Sequence, residues 1–228
     1  MTKDGEFSGR DEMGLEKKSK YRSEEEARAA YFKLVGGLVL FYSPLLSLAL
    51  YFALRAIPGQ AERIDAKFAF ISEHDLGWVF VAAFLVFVTR AYLSINANGA
   101  RAGARLDRPD QHIYKIMTPE KPLCDAPHVL MATTGAAGRF NRAQRGAFNF
   151  DESAAWFIIH LVLIAIMFGP LSFVLGSLQM YGRITFANQY KEDQAKRQAG
   201  FTISILAEYL SAGLISVCIL KAFVPAMP

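Results

Sequence analysis

The chain has 228 residues, of which 53% are hydrophobic, and its mean hydropathy is +0.21. Soluble domains contain about 45–50% apolar residues even with glycine counted, so this composition argues against a soluble protein and for an integral membrane protein. The net charge of +4 is accompanied by no nucleic-acid recognition motif, which argues against a nucleic-acid partner.

The N-terminal segment is polar and lacks the apolar core of a cleavable signal. We expect residues 1–22 to form a disordered tail. Residues 23–26 (Ser-Glu-Glu-Glu) form a capping box, which predicts that a helix starts there.

The stretch 34–54 carries no charge and is long enough to cross about 30 Å of hydrocarbon. We therefore predict a first transmembrane helix over 23–57, kinked at Pro44. A connecting loop is expected at 58–75.

Four further apolar stretches predict an all-α, four-helix membrane domain over 76–224. They lie at 76–100, 153–169, 171–182 and 199–220. A tight turn is expected at Gly169-Pro170, and the connection at about 104–141, which holds four prolines, is expected to be an ordered loop.

Lysine and arginine gather in the tail, between residues 101 and 145, and in the 190s. The positive-inside rule therefore predicts that the N-terminus, the long loop and the 190s lie in the cytosol. Two charges, Arg90 and Glu208, fall in the middle of predicted spans, where an isolated charge is costly. We expect them to form a pair, either within one subunit or across neighbouring subunits. The four histidines lie without ligand spacing, so no metal site is expected.

Polar residues recur at helical spacing near the predicted cytosolic ends of the spans. The rows are Arg145, Asn149 and Glu152; Arg183, Tyr190 and Arg197; and Arg101 with Arg105. Guanidinium groups bind carboxylates, a carboxylate binds an ammonium group, and an amide binds a peptide group. These rows suit a small zwitterionic ligand with more than one carboxylate. Snorkelling arginines with structural bonds between helices are the alternative interpretation.

The segment 145–152 (Arg-Gly-Ala-Phe-Asn-Phe-Asp-Glu) resembles the Arg-x-x-x-Asn-x-x-Glu signature of the MAPEG family, the membrane-associated proteins of eicosanoid and glutathione metabolism. The segment 182–190, followed by Arg197, is similar to the family's Arg-x-x-Tyr-x-x-x-Tyr element with its later arginine. A weaker match joins residues 91–94 to Ala100-Arg101. Together the matches cover roughly residues 77–223.

This resemblance implies a MAPEG-like four-helix bundle preceded by one additional transmembrane helix. It also implies a homotrimer in the endoplasmic reticulum or another organelle membrane, with glutathione as co-substrate between subunits. The implied glutathione contacts are Arg101, Arg145, Asn149, Glu152, Tyr190 and Arg197. Arg197 would be the catalytic residue that stabilises the glutathione thiolate, and a lipophilic electrophile would arrive from the lipid bilayer.

Four positions depart from the family pattern: Phe186, Ser153, Ala147 and Ala102. Ala102 in particular argues against leukotriene synthesis. Two functions therefore stay open. One is a glutathione-dependent membrane transferase or peroxidase. The other is a MAPEG-like protein that has lost catalysis and serves as a structural subunit, docking other membrane subunits through its extra helix and long loop.

Overall fold

The computed structural model describes Asp11 and residues 15–106, 112–117 and 128–224. Its helices are α1 (Glu24–Arg55), α2 (Gln60–Glu73), α3 (Gly77–Ala104), α4 (Gly135–Glu192) and α5 (Gln198–Phe223), and a short 3₁₀ turn, Gln194–Arg197, precedes α5. The strands β1 (Tyr114–Met117) and β2 (His128–Met131) pair antiparallel, with Tyr114 opposite Met131.

Four of these helices, α1, α3, α4 and α5, are long and apolar enough to cross a membrane. Their outward surfaces carry large apolar side chains such as Phe84, Leu163 and Leu206, which are about half exposed. Apolar surface of this extent suits contact with lipid. The predicted fold class is therefore confirmed at the level of a helical membrane protein.

The 58-residue helix α4 bends back on itself at Phe168, whose backbone angles (φ −135°, ψ 45°) are not helical. Pro170 follows, and proline cannot donate the hydrogen bond that would continue the helix. The halves 135–167 and 169–192 pack antiparallel, as the close approach of Gly146 to Ala187 shows. The turn predicted at Gly169-Pro170 is thus confirmed, and the halves of α4 correspond to two predicted spans.

The core lies between α3 and the two halves of α4. Phe157, Leu161 and Ile164 are fully buried there, against Ala82 from α3 and Leu175 from the second half. These side chains replace contacts with lipid by close packing, which is the main source of helix association in a membrane.

Small residues bring α5 close to the second half of α4. A Cβ atom added at Gly200 would lie 2.2 Å from the backbone nitrogen of Phe186, and one at Gly182 would lie 2.6 Å from that of Ser204. Backbones in such contact leave no room for larger residues. The two helices are therefore held in one register.

Among the described residues, helix α1 contacts the bundle through its first turns. Ala27 is fully buried, and Arg28 donates a 2.6 Å hydrogen bond to the Tyr92 hydroxyl on α3. The kink was predicted at Pro44, and a π-helical turn, Leu38–Tyr42, precedes this residue. The irregularity of α1 thus lies just before the proline, which has no N–H to donate to the preceding turn. Residues 40–50 are exposed all round.

Two predictions about connections need correction. The segment 58–75 is not a plain loop, because α2 occupies most of it. The central connection, in turn, contains the ribbon β1–β2, which adds a small sheet to a fold predicted to be all-α. Residues 107–111 and 118–127 of that connection lie outside the described residues.

The N-terminal tail differs from the prediction where it is described. Leu15 packs against the buried cluster that includes Phe140, and Asp11 pairs with Arg105 at 2.9 Å. A backbone bond from the Glu16 N–H to the Arg105 carbonyl adds to this contact. These residues are therefore docked on the bundle, while 1–10 and 12–14 lie outside the described residues.

Candidate functional site

The two ends of α4 meet at one end of the bundle. Arg139, in the second turn of α4, pairs with Glu192 at its last residue. This alignment brings the row that begins at Arg145 beside Tyr190 from the opposite half. We call this end the basic end, and the end marked by the bend at Phe168 the far end.

A cavity of about 280 Å³ opens at the basic end between the halves of α4, the chain after β2 and the 3₁₀ turn. Its lining combines two guanidinium groups, a phenol and two amides: Met131, Ala132, Thr133, Asn141, Arg142, Arg145, Tyr190 and Gln194. Donors of this kind in a partly enclosed space bind anionic groups, above all carboxylates. We call it the Arg145 cavity.

Arg142 builds one wall of this cavity by binding backbone carbonyls. It donates to the carbonyl oxygens of Thr133 at 2.7 Å, Lys191 at 3.1 Å and Glu192 at 3.3 Å. The last carbonyls of a helix have no partner within it and carry the negative end of its dipole, so a guanidinium there is stabilising. Arg142 therefore supports the cavity by binding backbone carbonyls, whereas Arg145 pairs with a side chain, that of Glu152.

Asn141 positions the chain segments that flank the ribbon β1–β2 beside the cavity. Its amide donates to the carbonyl oxygens of Ile113 at 2.8 Å and Ala132 at 2.9 Å, and its oxygen accepts from the Ile113 N–H at 2.9 Å. This side chain, which is 2% exposed, holds the open end of the ribbon on α4, since Ile113 precedes β1 and Ala132 follows β2. Asn141 was not among the predicted site residues, because its partner Ile113 lies 28 residues away and no local sequence pattern indicates the contact.

Arg145 forms an ion pair with Glu152, two turns along the same half of α4. The shortest distance is 2.7 Å, and the two side chains are 46% and 54% exposed. Pairs at such exposure contribute at most about 1 kcal/mol. A ligand that carries both a carboxylate and an ammonium group can therefore separate the two residues at low cost.

Tyr190 and Arg197 meet through the ring of the tyrosine. The Arg197 guanidinium carbon lies 5.7 Å from the ring centroid, in the range of a cation–π contact. On the helix, Phe186 stacks on Tyr190 with centroids 5.4 Å apart and planes at 20°. Phe186, which differs from the MAPEG pattern, thus orients Tyr190, one of the predicted glutathione contacts.

Asn149 lies one turn from Arg145, but its side chain faces the bundle interior. Its oxygen accepts a 2.5 Å hydrogen bond from Arg183, which also binds Ser153 at 2.8 Å and Glu208 at 2.5 Å. Arg183 and Glu208 are 3% and 4% exposed, so they form a buried ion pair. The amide oxygen of Asn149 is therefore engaged by a structural cluster.

The pair predicted between Arg90 and Glu208 is wrong within one subunit. Arg90 binds Asp151 at 2.7 Å and donates to the Ser94 hydroxyl at 2.6 Å, whereas Glu208 faces Arg183. Both charges are paired, but with other partners: the pair of Glu208 is buried, whereas that of Arg90 is about 40% exposed.

Arg101 does not line the Arg145 cavity. Its guanidinium lies 5.0 Å from the centroid of Phe140, and the residue is 8% exposed. It lines a separate cavity of about 250 Å³ between α1, α3 and the N-terminal tail, together with Tyr21 and Ala102. The structure of a single chain thus separates Arg101 from the other predicted contacts.

A second ionic cluster at the basic end was not predicted. The Lys191 ammonium, 4% exposed, lies 2.6 Å from Glu24 and 2.8 Å from the oxygen of Asn96. Arg139 bridges Glu24 and Glu192. The acidic first turn of α1 was visible in the sequence, but its partners lie more than 100 residues away. This cluster joins α1 to α3 and to both halves of α4.

His112, just before β1, lies close to Arg145 and Phe148 at the basic end. Its ring centroid is 5.6 Å from that of Phe148. Burial holds the pKa of His112 below its usual value, and the positive charge of Arg145 lowers this pKa further. The imidazole is therefore uncharged at neutral pH and can accept a hydrogen bond near Arg145.

Comparison with known proteins relates the chain to a cyanobacterial protein. No family model matches the chain. The chain is 31% identical over 123 residues to the uncharacterized protein sll1147 of Synechocystis sp., an alignment that covers 54% of this chain and 74% of the relative. The chain therefore belongs to the same protein family as sll1147.

Proposed function

We propose that this member of the sll1147 family is a MAPEG-like, glutathione-dependent membrane transferase or peroxidase that acts on lipophilic electrophiles. The observation that supports this proposal is the Arg145 cavity, where Arg145 and Tyr190 face one space and Arg197 lies over the tyrosine ring. Glutathione carries two carboxylates, an ammonium group and a thiol. Arg145 complements a carboxylate, Glu152 beside it complements the ammonium group, and Arg197 complements the thiolate.

In this proposal Arg145 binds a carboxylate of glutathione and Glu152 receives its ammonium group, as their weak mutual pair separates. Tyr190 donates to the peptide. Arg197 lies near the thiol and favours the thiolate, because a neighbouring positive charge lowers the pKa of a thiol from its usual value of about 8.5. The thiolate sulfur then attacks an electrophilic carbon and displaces a leaving group. Alternatively it attacks the terminal oxygen of a hydroperoxide and breaks the O–O bond, which gives a glutathione sulfenic acid and an alkoxide that takes up a proton to become the alcohol. A second glutathione thiol then converts the sulfenic acid to glutathione disulfide and water.

We further propose that the chain acts as a homotrimer, with the half-exposed Arg145 and Glu152 facing a neighbouring copy. Charged side chains at this exposure near the start of an apolar span are costly in lipid unless they are covered. The basic end would face the cytosol, together with the N-terminus, in the endoplasmic reticulum or another organelle membrane. Electrophiles dissolved in the bilayer would reach the cavity along the helices.

One observation favours the second candidate, a structural subunit that has lost catalysis. The polar groups of Asn149 and Ser153 are engaged by Arg183 and Glu208, and Arg101 lies below the N-terminal tail. Three positions that the MAPEG resemblance relates to glutathione binding thus contact other parts of the chain. Under this proposal the exposed α1 would contact other membrane subunits.

Glutathione binding to the detergent-solubilised chain, measured by calorimetry, separates these proposals. We expect Arg145→Gln to weaken binding at least about tenfold, because a charge-assisted hydrogen bond contributes roughly 1.5–3 kcal/mol. Arg90→Gln is the matched control, since Arg90 forms a similarly exposed pair outside the Arg145 cavity. Absence of binding in the parent chain would favour the structural subunit, and equal binding by both variants would place glutathione elsewhere.

A further inference from the structure

Helix α2 joins the far ends of α1 and α3 and is exposed along nearly its whole length. A row of apolar residues recurs at helical spacing: Ile57 just before the helix, then Ala61, Ile64, Phe68 and Ile71. Intervals of three and four place them on one face. The charged residues Glu62, Arg63, Asp65, Lys67 and Glu73 lie on the remaining surface, together with Phe70, whose ring centroid lies 4.4 Å from that of His74.

The start of α2 is fixed against the end of α1. Arg55 binds Asp65 with both guanidinium nitrogens, one at 3.0 Å, and donates to the Tyr51 hydroxyl at 3.1 Å. The rings of Tyr51 and Phe68 meet edge to face at 6.3 Å. The Arg55 guanidinium holds the pKa of the Asp65 carboxyl below its usual value, so the pair stays charged near neutral pH.

Beyond this contact the apolar face borders an open groove of about 490 Å³. Phe68 and Ile71 form one side, and Trp78, Phe80 and Val81 at the start of α3 form the other. Phe68 is 54% exposed and Phe80 is 61% exposed. A groove of this apolarity is covered by a partner or by lipid.

The position of the groove identifies what covers it. Trp78 packs against Gly169 and Phe173 at the bend of α4, so the groove lies level with the far end of the bundle. Its walls continue into the exposed apolar surface of α3 at Phe84 and Phe87. The charged side of α2, in contrast, cannot enter hydrocarbon at low cost.

We infer that α2 lies in the plane of the membrane at the far end, with its apolar face and the groove beside Trp78 filled by phospholipid acyl chains. Such a helix sinks about 5–10 Å into the boundary between headgroups and acyl chains while its charged side stays in water. Tryptophan near the same level is typical of a membrane interface. Helix α2 is thus an interfacial anchor that sets the depth of α1 and α3.

Spin labels in the full chain, reconstituted into phosphatidylcholine vesicles, test this inference. Cys124 and Cys218 are first replaced by serine, and single cysteines are introduced as Ile64→Cys and Ile71→Cys on the apolar face. Glu62→Cys and Glu73→Cys are matched controls, since each lies two residues from its counterpart and nearly opposite it around the helix.

We expect labels at 64 and 71 to collide readily with oxygen and several-fold less with a water-soluble nickel complex, and labels at 62 and 73 to show the reverse. Equal nickel access on both faces would place α2 in water and overturn the inference. Labels at 64 and 71 that meet neither reagent would show that protein covers the face, which also overturns it. Neither outcome depends on glutathione, so the test is independent of the proposed function.

Discussion

Arg183 and Glu208 show how single residues decide which polar groups remain for a ligand. Their pair is shielded from solvent, and Ser153 and Gln179 supply further hydrogen bonds to Glu208. Ser153, one of the positions that differ from the MAPEG pattern, forms hydrogen bonds to both members of this pair. A residue that fails to match a ligand-binding signature can therefore have a structural role that the signature does not show.

Removal of one partner from this pair should destabilise the chain strongly. Glu208→Gln leaves the Arg183 charge buried without compensation, which costs about 3–5 kcal/mol of unfolding free energy. Glu152→Gln is the control, because its pair with Arg145 is half exposed and costs at most about 1 kcal/mol to lose. Unfolding in mixed micelles measures both, and similar values for the two variants would contradict the assigned burial.

His112 offers a direct probe of the charge on Arg145. Because burial and Arg145 both lower its pKa, Arg145→Gln should raise the pKa of His112 towards, but not to, its usual value near 6.5. Arg90→Gln should leave it unchanged. Imidazole proton shifts followed against pH measure the difference, and no change in the Arg145 variant would place that charge away from His112.

The lowered pKa of His112 also makes the stability of the folded chain depend on pH. A base whose pKa is lower in the folded chain stays uncharged there, while the unfolded chain takes up a proton first as the pH falls. The contribution of His112 to stability is therefore fully present above about pH 6.5 and is lost below it.

At the scale of elements, apolar stretches predicted the spanning helices because a helix in lipid satisfies its own backbone hydrogen bonds locally. The turn near Pro170 was equally local, since proline itself prevents a continuous helix there. The ribbon was not predictable in this way, because Asn141 stabilises it from a distant helix. Likewise, the partner of Arg90 depends on how α3 and α4 are rotated against each other, which spacing within one helix does not fix.

Helix α1 is predicted to be coupled to the bundle by its first turn. A double-mutant cycle with Glu24→Gln and Lys191→Met should give a coupling free energy of about 1–3 kcal/mol, since Lys191 is almost fully buried. The cycle Asp65→Asn with Arg55→Met is the control at an exposed pair and should give below about 1 kcal/mol.

Unfolding free energies of the single and double variants provide both values. A coupling near zero between Glu24 and Lys191 would contradict this prediction. Helix α1 would then be held by the pair of Glu24 with Arg139, the buried Ala27 and the hydrogen bond from Arg28 to Tyr92.

The whole molecule places its ionic chemistry at one end and its apolar surface along the sides. Of the six predicted contacts, Arg145 and Tyr190 share a cavity, while Glu152 and Arg197 each contact one of these two. Spacing within the first half of α4 predicted that Arg145 and Glu152 share a face, whereas a site shared with Tyr190 and Arg197 was implied by the MAPEG resemblance. The position of Arg101 could not be predicted, since it depends on the tail that folds over α3.

The most direct test is a structure of the chain in lipid nanodiscs at saturating glutathione. We predict density for the tripeptide in the Arg145 cavity, with a carboxylate on Arg145 in place of Glu152, the peptide beside Tyr190 and the sulfur nearest Arg197. A cavity that stays empty, with the pair between Arg145 and Glu152 intact and glutathione absent or bound elsewhere, would contradict the proposed site.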